Sequence, residues 1–310
     1  FLRALASIRT PLLDTLMAAV THLGEETFFM VLALLVFWCV DKRRGYYLLL
    51  VGFAGTIANQ MLKITFRIPR PWVLDPDFPI VEAARAQATG FSFPSGHTQN
   101  AVGTFGGIAR TSRRRWVRIM CIVLALLIAF SRLYLGVHTP LDVGVSLLIA
   151  AALVFALAPV PEEAKRRPNY LLHTWLLMLL PALVFLFYAI RVRSGASGDL
   201  SNFDSAVKNA WCMLGGVIGI LITVYVDDRA IRFETQAVWW AQLLKLVLGL
   251  MLVVAVKAGL KSPLYALFGQ GSGPADGIRY CCMVLTAGLL WPLSFHFFST
   301  LGHGKSGTLH

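Results

Sequence analysis

Residues 116–159 read WVRIMCIVLALLIAFSRLYLGVHTPLDVGVSLLIAAALVFALAP, which is two apolar runs joined by a short polar turn. Each run is close to the roughly 20 apolar residues that a helix needs to cross a bilayer, so the stretch predicts a pair of transmembrane helices. The same pattern continues in both directions along the chain. The predicted spans are 26–40, 46–64, 96–110, 116–132, 139–159, 170–190, 210–226, 238–260 and 279–301. We therefore expect an all-α fold, a polytopic membrane helical bundle of about nine transmembrane helices.

The composition of the chain agrees with this interpretation. Of its 310 residues 57% are hydrophobic and only 14% are charged, against about 25% charged residues in soluble domains. These values exclude a soluble α/β enzyme, a disordered chain and a secreted domain held by disulfides. The net charge of +12 does not indicate a nucleic-acid partner, because polytopic membrane proteins collect Lys and Arg in their cytoplasmic loops. The expected partner is the lipid bilayer.

The two ends of the chain lie outside the predicted spans. Residues 12–23 form an amphipathic stretch that is too short to cross the membrane. We expect it to lie along the membrane surface as an N-terminal interfacial helix. The polar tail, residues 302–310, is expected to be disordered.

Basic residues predict the orientation of the chain. Eleven of them lie in the breaks after spans one, three and five, and five lie in the opposite breaks of the same half. The positive-inside rule assigns the richer side to the cytoplasm. The loops after spans two and four are then extracytoplasmic (periplasmic, extracellular or lumenal), and the C-terminus is cytoplasmic.

Three polar segments lie at the extracytoplasmic ends of spans two to five. They are 63–71 (KITFRIPRP), 94–97 (PSGH) and 131–142 (SRLYLGVHTPLD). Ionisable residues at the edge of the hydrocarbon core are costly, so three such segments on one side indicate a functional site. Each segment alone has a structural explanation, such as a helix cap or a basic side chain reaching for the membrane surface.

The residue types in these segments are those that bind phosphate. Lys63, Arg70 and Arg132 supply three cations for a group with more than one negative charge. Ser95 and Gly96 stand where span three begins, so backbone N–H groups and the positive helix end can hold an anion there. No cluster of carboxylates indicates a divalent metal, and we expect neither a metal nor another cofactor.

Two histidines in the same segments can carry phosphoryl transfer. His138 and Asp142 are four residues apart and share a helix face, so the carboxylate can fix the imidazole tautomer. His97 can protonate the departing oxygen while His138 attacks the phosphorus, and can then activate water against the phospho-histidine. We expect His138, His97 and Asp142 to be the catalytic residues.

The three segments match the signature of the type 2 phosphatidic acid phosphatase superfamily, K-x6-R-P, P-S-G-H and S-R-x5-H-x3-D, at every defining position. The resemblance implies that His138 is the nucleophile, Asp142 its orienting partner and His97 the acid and base. The phosphate-binding residues that it implies are Lys63, Arg70, Ser95, Gly96 and Arg132. It also implies a metal-independent phosphatase that hydrolyses a lipid phosphate, a monoester or a diphosphate, at the extracytoplasmic face.

The resemblance divides the chain into two predicted domains. Residues 1–160 form the catalytic core, with the interfacial helix and five spans, and residues 161–310 form a four-span extension of unknown role. In the extension, Lys257, Lys261 and Arg279 could bind a substrate headgroup. Interfacial anchoring is the alternative explanation of the same three side chains.

Two other functions stay open from the sequence. The stretch 70–77 is similar to the one that follows the first motif in glucose-6-phosphatases, so the substrate could be a soluble sugar phosphate. A transporter or flippase could also use the phosphate pocket for binding alone. However, a protein that only binds phosphate has no need of two imidazoles beside one phosphoryl group.

Overall fold

The computed structural model describes residues 1–86, 88–197 and 200–301, and its regular elements are all helical. The helices are α1 (Leu2–Ser7), α2 (Pro11–His22), α3 (Glu26–Leu35), α4 (Lys42–Phe66), α5 (Pro71–Leu74), α6 (Gly96–Ala101), α7 (Gly107–Thr111), α8 (Arg115–Tyr134), α9 (Pro140–Ala156), α10 (Val160–Arg166), α11 (Tyr170–Ser194), α12 (Ser201–Val226), α13 (Trp239–Gly259), α14 (Lys261–Phe268), α15 (Gly273–Leu285) and α16 (Phe295–Thr300). π-Helical turns follow α3, α6, α12 and α15, and the turn at Val102–Gly106 joins α6 to α7. The polar tail lies outside the described residues.

Seven helical segments are long and apolar enough to cross a membrane. They are Lys42–Leu74, Arg115–Tyr134, Pro140–Arg166, Tyr170–Ser194, Ser201–Ile231, Trp239–Phe268 and Gly273–Thr300. Each contains most or all of one predicted span. The prediction of a polytopic, all-α membrane bundle is therefore confirmed, and the chain is a multi-pass integral membrane protein.

The two other predicted spans are helical but differ from the simple expectation. The span at 26–40 continues from α2 with a bend of 51°, and the two together give an eighth candidate span. The span at 96–110 is the run α6, π-turn and α7, which at 1.5 Å per residue is about 24 Å long, shorter than the roughly 30 Å hydrocarbon core. The count is therefore seven or eight among the described residues.

Large apolar side chains cover the outside of these helices. Leu177 and Phe187 on α11 are each 74% exposed, and Phe155 on α9 is 67% exposed. In water such surfaces would drive aggregation, whereas in a bilayer they contact the acyl chains. The exposed apolar faces therefore belong to the lipid boundary.

The described residues form two compact units, and unit 1 comprises Phe1–Leu32, Tyr47–Val160 and Val184–Val207. One of its hydrophobic clusters packs the run α6 to α7 against α8 and α9. The buried members are Ala101, Val102, Phe105, Ala109, Cys121, Ala125, Ile128 and Ala150. Gly24 allows the turn after α2 to approach α8, because a Cβ there would lie 2.7 Å from a methyl of Ile128. This packing holds all three sequence motifs within unit 1.

Unit 2 comprises Ala33–Tyr46, Pro161–Leu183 and residues 208–301. Helices α12 and α15 approach closely, since a Cβ on Gly215 would lie 2.0 Å from the carbonyl oxygen of Gly277. Small residues permit such backbone contact between membrane helices. The indole of Trp38 is fully buried and donates a hydrogen bond to the carbonyl of Ala287 at 2.9 Å. The functional division at residue 160 stays a prediction.

Candidate active site

The turn between α8 and α9 places the third motif. Gly136 has φ +78°, a conformation that glycine adopts without strain. Thr139 then caps α9 by accepting a hydrogen bond from the backbone N–H of Asp142, and Pro140 occupies the first helical position. The carboxylate of Asp142 accepts the N–H of Thr139 at 2.8 Å, which completes a capping box. The local sequence therefore fixes the Asp142 carboxylate beside the turn that carries His138.

Asp142 connects the turn to the second motif. Its Oδ2 accepts hydrogen bonds from Ser92 Oγ at 2.5 Å and from His138 Nδ1 at 3.3 Å. Its backbone carbonyl accepts from the N–H of Ser95 at 3.1 Å. The carboxylate is 1% exposed, so these donors replace water in stabilising its charge. This arrangement holds the Nδ1–H tautomer of His138 and leaves the lone pair on Nε2.

Arg70 covers the other nitrogen of His138. Its Nη1 donates to His138 Nε2 at 2.9 Å and to the carbonyl of Val137 at 2.9 Å. Its Nη2 and Nε donate to the carbonyls of Thr89 at 2.7 Å and Gly90 at 3.1 Å. One guanidinium therefore joins the loop before the second motif to the turn of the third. A phosphate that takes hydrogen bonds from Arg70 would free Nε2 for attack.

Arg132 is buried with donors that have no partner. The side chain is 0% exposed, and Nη1 donates to Thr21 Oγ1 at 2.6 Å. Among the described residues, Nε and Nη2 of Arg132 have no hydrogen-bond partner. A buried cation with unsatisfied donors is strongly unfavourable unless an anion completes it. The guanidinium therefore fits a phosphate oxygen.

His97 also has a buried nitrogen without a partner. Its Nε2 makes no hydrogen bond with any residue that the structure describes. His97 lies two residues after Ser95, whose Oγ caps α6 by accepting a hydrogen bond from the backbone N–H of Thr98 at 3.4 Å. A free imidazole nitrogen is what a general acid or base needs.

The start of α6 differs in one respect from the sequence prediction. The expectation is that free backbone N–H groups at this helix end hold phosphate, and the N–H of Ser95 is not one of the free groups, because it donates to the carbonyl oxygen of Asp142 at 3.1 Å. Gly96 keeps open space, since a Cβ there would meet only Asn59 Oδ1, at 3.9 Å. The absence of a side chain at position 96 leaves this space for a ligand.

Lys63 lies in the last turn of α4 and donates from Nζ to the carbonyl of Phe91 at 2.6 Å. This contact directs the ammonium toward the loop that precedes the second motif. Unit 1 therefore contains all eight of the predicted residues His138, His97, Asp142, Lys63, Arg70, Ser95, Gly96 and Arg132.

Burial and the surrounding cations act on His138. Burial lowers the pKa of the imidazole well below its ordinary value, and Arg70, Arg132, Lys63 and His97 lower this pKa further. The imidazole is therefore neutral at physiological pH, which is the form that a nucleophile requires.

Thr21 was not identified from the sequence, and it positions Arg132. Replacing Thr21 with valine keeps the shape but removes the hydrogen bond to Nη1. We expect KM for a phosphorylated substrate to rise by about tenfold, the effect of one hydrogen bond to a charged group, and Thr21→Ser to restore it. Steady-state kinetics check this, with Thr15→Val on the exposed face of α2 as the control. An equal rise in both valine variants would contradict the role of Thr21.

Ser92 was also missed. It donates to Asp142 from the loop before the second motif, and its own N–H donates to the carbonyl of Ile68 at 2.8 Å. No spacing rule marks Thr21 or Ser92 in the sequence, because both act through contacts between segments distant along the chain.

The remaining predicted residues lie in unit 2. Lys257 and Lys261 are exposed, and Arg279 is buried and donates to Asp276 Oδ1 at 2.5 Å. Their role in binding a headgroup stays a prediction. No group of three potential metal-ligating side chains occurs in residues 1–86, 88–197 and 200–301.

The fold is that of a membrane-embedded protein, and the side chains gathered in unit 1 are those expected of a phosphatase. Comparison with protein families gives the same class. The PAP2 superfamily model matches residues 44–166, and the model of the PAP2 superfamily phosphatase transmembrane extension matches residues 211–303.

Three relatives show the range of similar proteins. Phosphatidylglycerophosphatase B of Bacillus subtilis is 31% identical over 179 residues, which cover 53% of this chain and 83% of the relative. Undecaprenyl-diphosphatase BcrC of the same organism is 30% identical, over 46% of this chain and 72% of the relative. A probable sphingosine-1-phosphate phosphatase of Dictyostelium discoideum is 32% identical, over 48% of this chain and 39% of the relative.

The chain belongs to the PAP2 superfamily. The resemblance inferred from the three motifs and the assignment to phosphoric monoester hydrolases are thereby confirmed. No solved structure matches the chain.

Proposed function

We propose that this protein hydrolyses a lipid phosphate through a phospho-histidine intermediate at the extracytoplasmic face of its membrane. The observation that carries the proposal is the buried His138, whose Nδ1 donates to Asp142, together with the buried Arg132 guanidinium, two donors of which have no partner among the described residues. The relatives named above support a lipid substrate, since all three are named for lipid phosphates. The apolar exterior supports it too, because a lipid tail can stay in the bilayer while its phosphate enters unit 1.

In the first step, His138 Nε2 attacks phosphorus and the bond to the leaving oxygen breaks. His97 gives its proton to that oxygen, and Arg70, Arg132 and Lys63 stabilise the charge on the phosphoryl oxygens. In the second step, His97 takes a proton from water, which attacks phosphorus and breaks the bond to Nε2. Asp142 stabilises the charge on the ring of His138 while it carries the phosphoryl group. Both steps use this chain's own side chains.

The proposal is tested by phosphate release from a panel of substrates. The panel contains phosphatidylglycerol phosphate, undecaprenyl diphosphate, sphingosine 1-phosphate, phosphatidic acid and glucose 6-phosphate. We expect release from at least one lipid in EDTA, and inhibition by vanadate because its trigonal-bipyramidal form imitates the transition state. Loss of activity in EDTA would contradict the metal-free mechanism. Release from glucose 6-phosphate alone would indicate a sugar phosphatase, and binding without release would indicate a transporter.

A further inference from the structure

Unit 2 contains a cavity with a volume of about 520 Å³. Three segments that are distant in sequence line it, namely residues 42–46, 164–171 and 228–232. The first two include basic breaks that the positive-inside rule assigns to the cytoplasm. None of the lining residues belongs to the catalytic motifs, so the phosphatase site does not account for the cavity.

The cavity is lined by five basic side chains and one acidic side chain, Asp228. The basic side chains are Lys42, Arg43, Arg167, Arg229 and Arg232. Lys42 pairs with Asp227 at 2.7 Å, and Arg167 pairs with Glu163 at 3.0 Å. Within the described part of the chain, the other three guanidinium groups make no ion pair with a carboxylate. The lining therefore has an excess of positive charge.

Tyr46 adds a buried donor to this lining. Its side chain is 2% exposed, and its hydroxyl has no hydrogen-bond partner among the described residues. The ring is held by Phe37 in an edge contact with centroids 4.9 Å apart. A buried hydroxyl that lacks a partner is unfavourable by the cost of its lost hydration. Anchoring at the membrane surface would explain the basic side chains, but it would not explain a buried hydroxyl without a partner among the described residues.

Two lining residues hold left-handed backbone conformations. Asn169 has φ +60° and Arg232 has φ +48°, and neither is glycine. Arg232 is further fixed because its Nε donates to the carbonyl of Asp228 at 3.1 Å. Such conformations are costly for an arginine and persist where the surrounding structure holds them.

We propose that this cavity binds the phosphate-bearing headgroup of an anionic lipid or an equivalent free glycerol phosphate. The guanidinium groups of Arg43, Arg229 and Arg232 supply charge and paired donors for phosphate oxygens. The Tyr46 hydroxyl donates to the same group. The volume exceeds that of a phosphate ion, so there is room for the attached glycerol. The lining residues belong to unit 2, and none of them is a residue of the proposed phosphatase site.

The test titrates two probes into the full chain held in phosphatidylcholine nanodiscs, with affinity measured by calorimetry. The probes are dihexanoyl phosphatidylglycerol and glycerol 3-phosphate. The test variant combines Arg43→Gln, Arg229→Gln and Arg232→Gln. The matched control combines Arg113→Gln, Arg114→Gln and Arg115→Gln, which lie on the same predicted membrane side but do not line the cavity.

We expect the cavity variant to lose at least about tenfold in affinity, since charged hydrogen bonds are removed, and the control to keep its affinity. Binding of phosphatidylglycerol alone assigns a lipid headgroup, and binding of both probes assigns the phosphate group itself. Equal losses in the two variants, or no binding to the wild type, would overturn the proposal.

Tyr46→Phe gives a second test that does not depend on a charge change. Without a ligand, its Tm should equal or exceed that of the wild type, because the variant removes a buried hydroxyl that has no partner. Its affinity for the bound probe should fall by about threefold to tenfold. A lower Tm with unchanged affinity would show that the hydroxyl is structural and would contradict its place in the site.

Discussion

Replacing His138 with alanine should lower kcat by about 10⁴-fold or more, since the remaining side chains of the site cannot replace the nucleophile. The same variant should form no acid-labile phosphoryl label from a radiolabelled substrate. Asp142→Asn should keep the shape of the site but lose the carboxylate that holds the Nδ1–H tautomer, and its kcat should fall by up to about 10⁴-fold. Rapid-quench measurements of phosphoenzyme and phosphate check both variants.

The control for this prediction is His173→Ala, because His173 is exposed on α11 and does not belong to any of the three motifs. Its activity should equal that of the wild type. If His138→Ala kept activity within tenfold of the control, the phospho-histidine mechanism would be wrong. A normal Tm for His138→Ala distinguishes lost chemistry from lost folding.

The membrane fold could be predicted from the sequence because apolar length alone decides it. A run of apolar residues as long as 139–159 is unfavourable in water and too long for the core of a small soluble domain. Its helical conformation and its position across the membrane therefore follow directly from the sequence. The exact number of spans could not be predicted in the same way. The segment 96–110 is helical but short, and the segment 26–40 is bent against α2. Both outcomes depend on packing against neighbours.

The motif residues could be predicted as a set, but their contacts could not. Nothing in the sequence shows that Arg70 donates to His138 Nε2, or that the backbone N–H of Ser95 is used by Asp142. These contacts arise where loops from distant parts of the chain meet. The same reason explains why Thr21 and Ser92 were missed, although each supports a predicted residue directly.

The contact between Arg70 and His138 also suggests how binding and chemistry are coupled. The guanidinium occupies the lone pair that attack requires, and three carbonyl groups hold it there. A phosphate group carries more negative charge than these carbonyl oxygens, so it can compete with them for the N–H donors of Arg70. In the proposed mechanism, binding of a phosphoryl group would therefore release Nε2 for attack. Without a bound phosphoryl group, Arg70 would keep the Nε2 lone pair occupied.

His97→Ala should separate the two chemical steps by the choice of leaving group. An alkyl oxygen needs a proton to depart, so kcat for a lipid phosphate should fall by about 10²- to 10⁴-fold. Nitrophenolate leaves without a proton, so p-nitrophenyl phosphate should still phosphorylate His138. Water would then lack its base, and we expect a burst of one nitrophenolate per enzyme followed by slow turnover. Stopped-flow absorbance measures the burst.

The matched control for this variant is His296→Ala, which removes an exposed histidine on α16. It should show no burst beyond that of the wild type and no loss with either substrate. Equal losses on both substrates without a burst would exclude His97 as the acid and base. That result would leave His138 as the nucleophile, and the proton would have to come from another group. The Nε2 of His97, which has no partner among the described residues, would then serve binding alone.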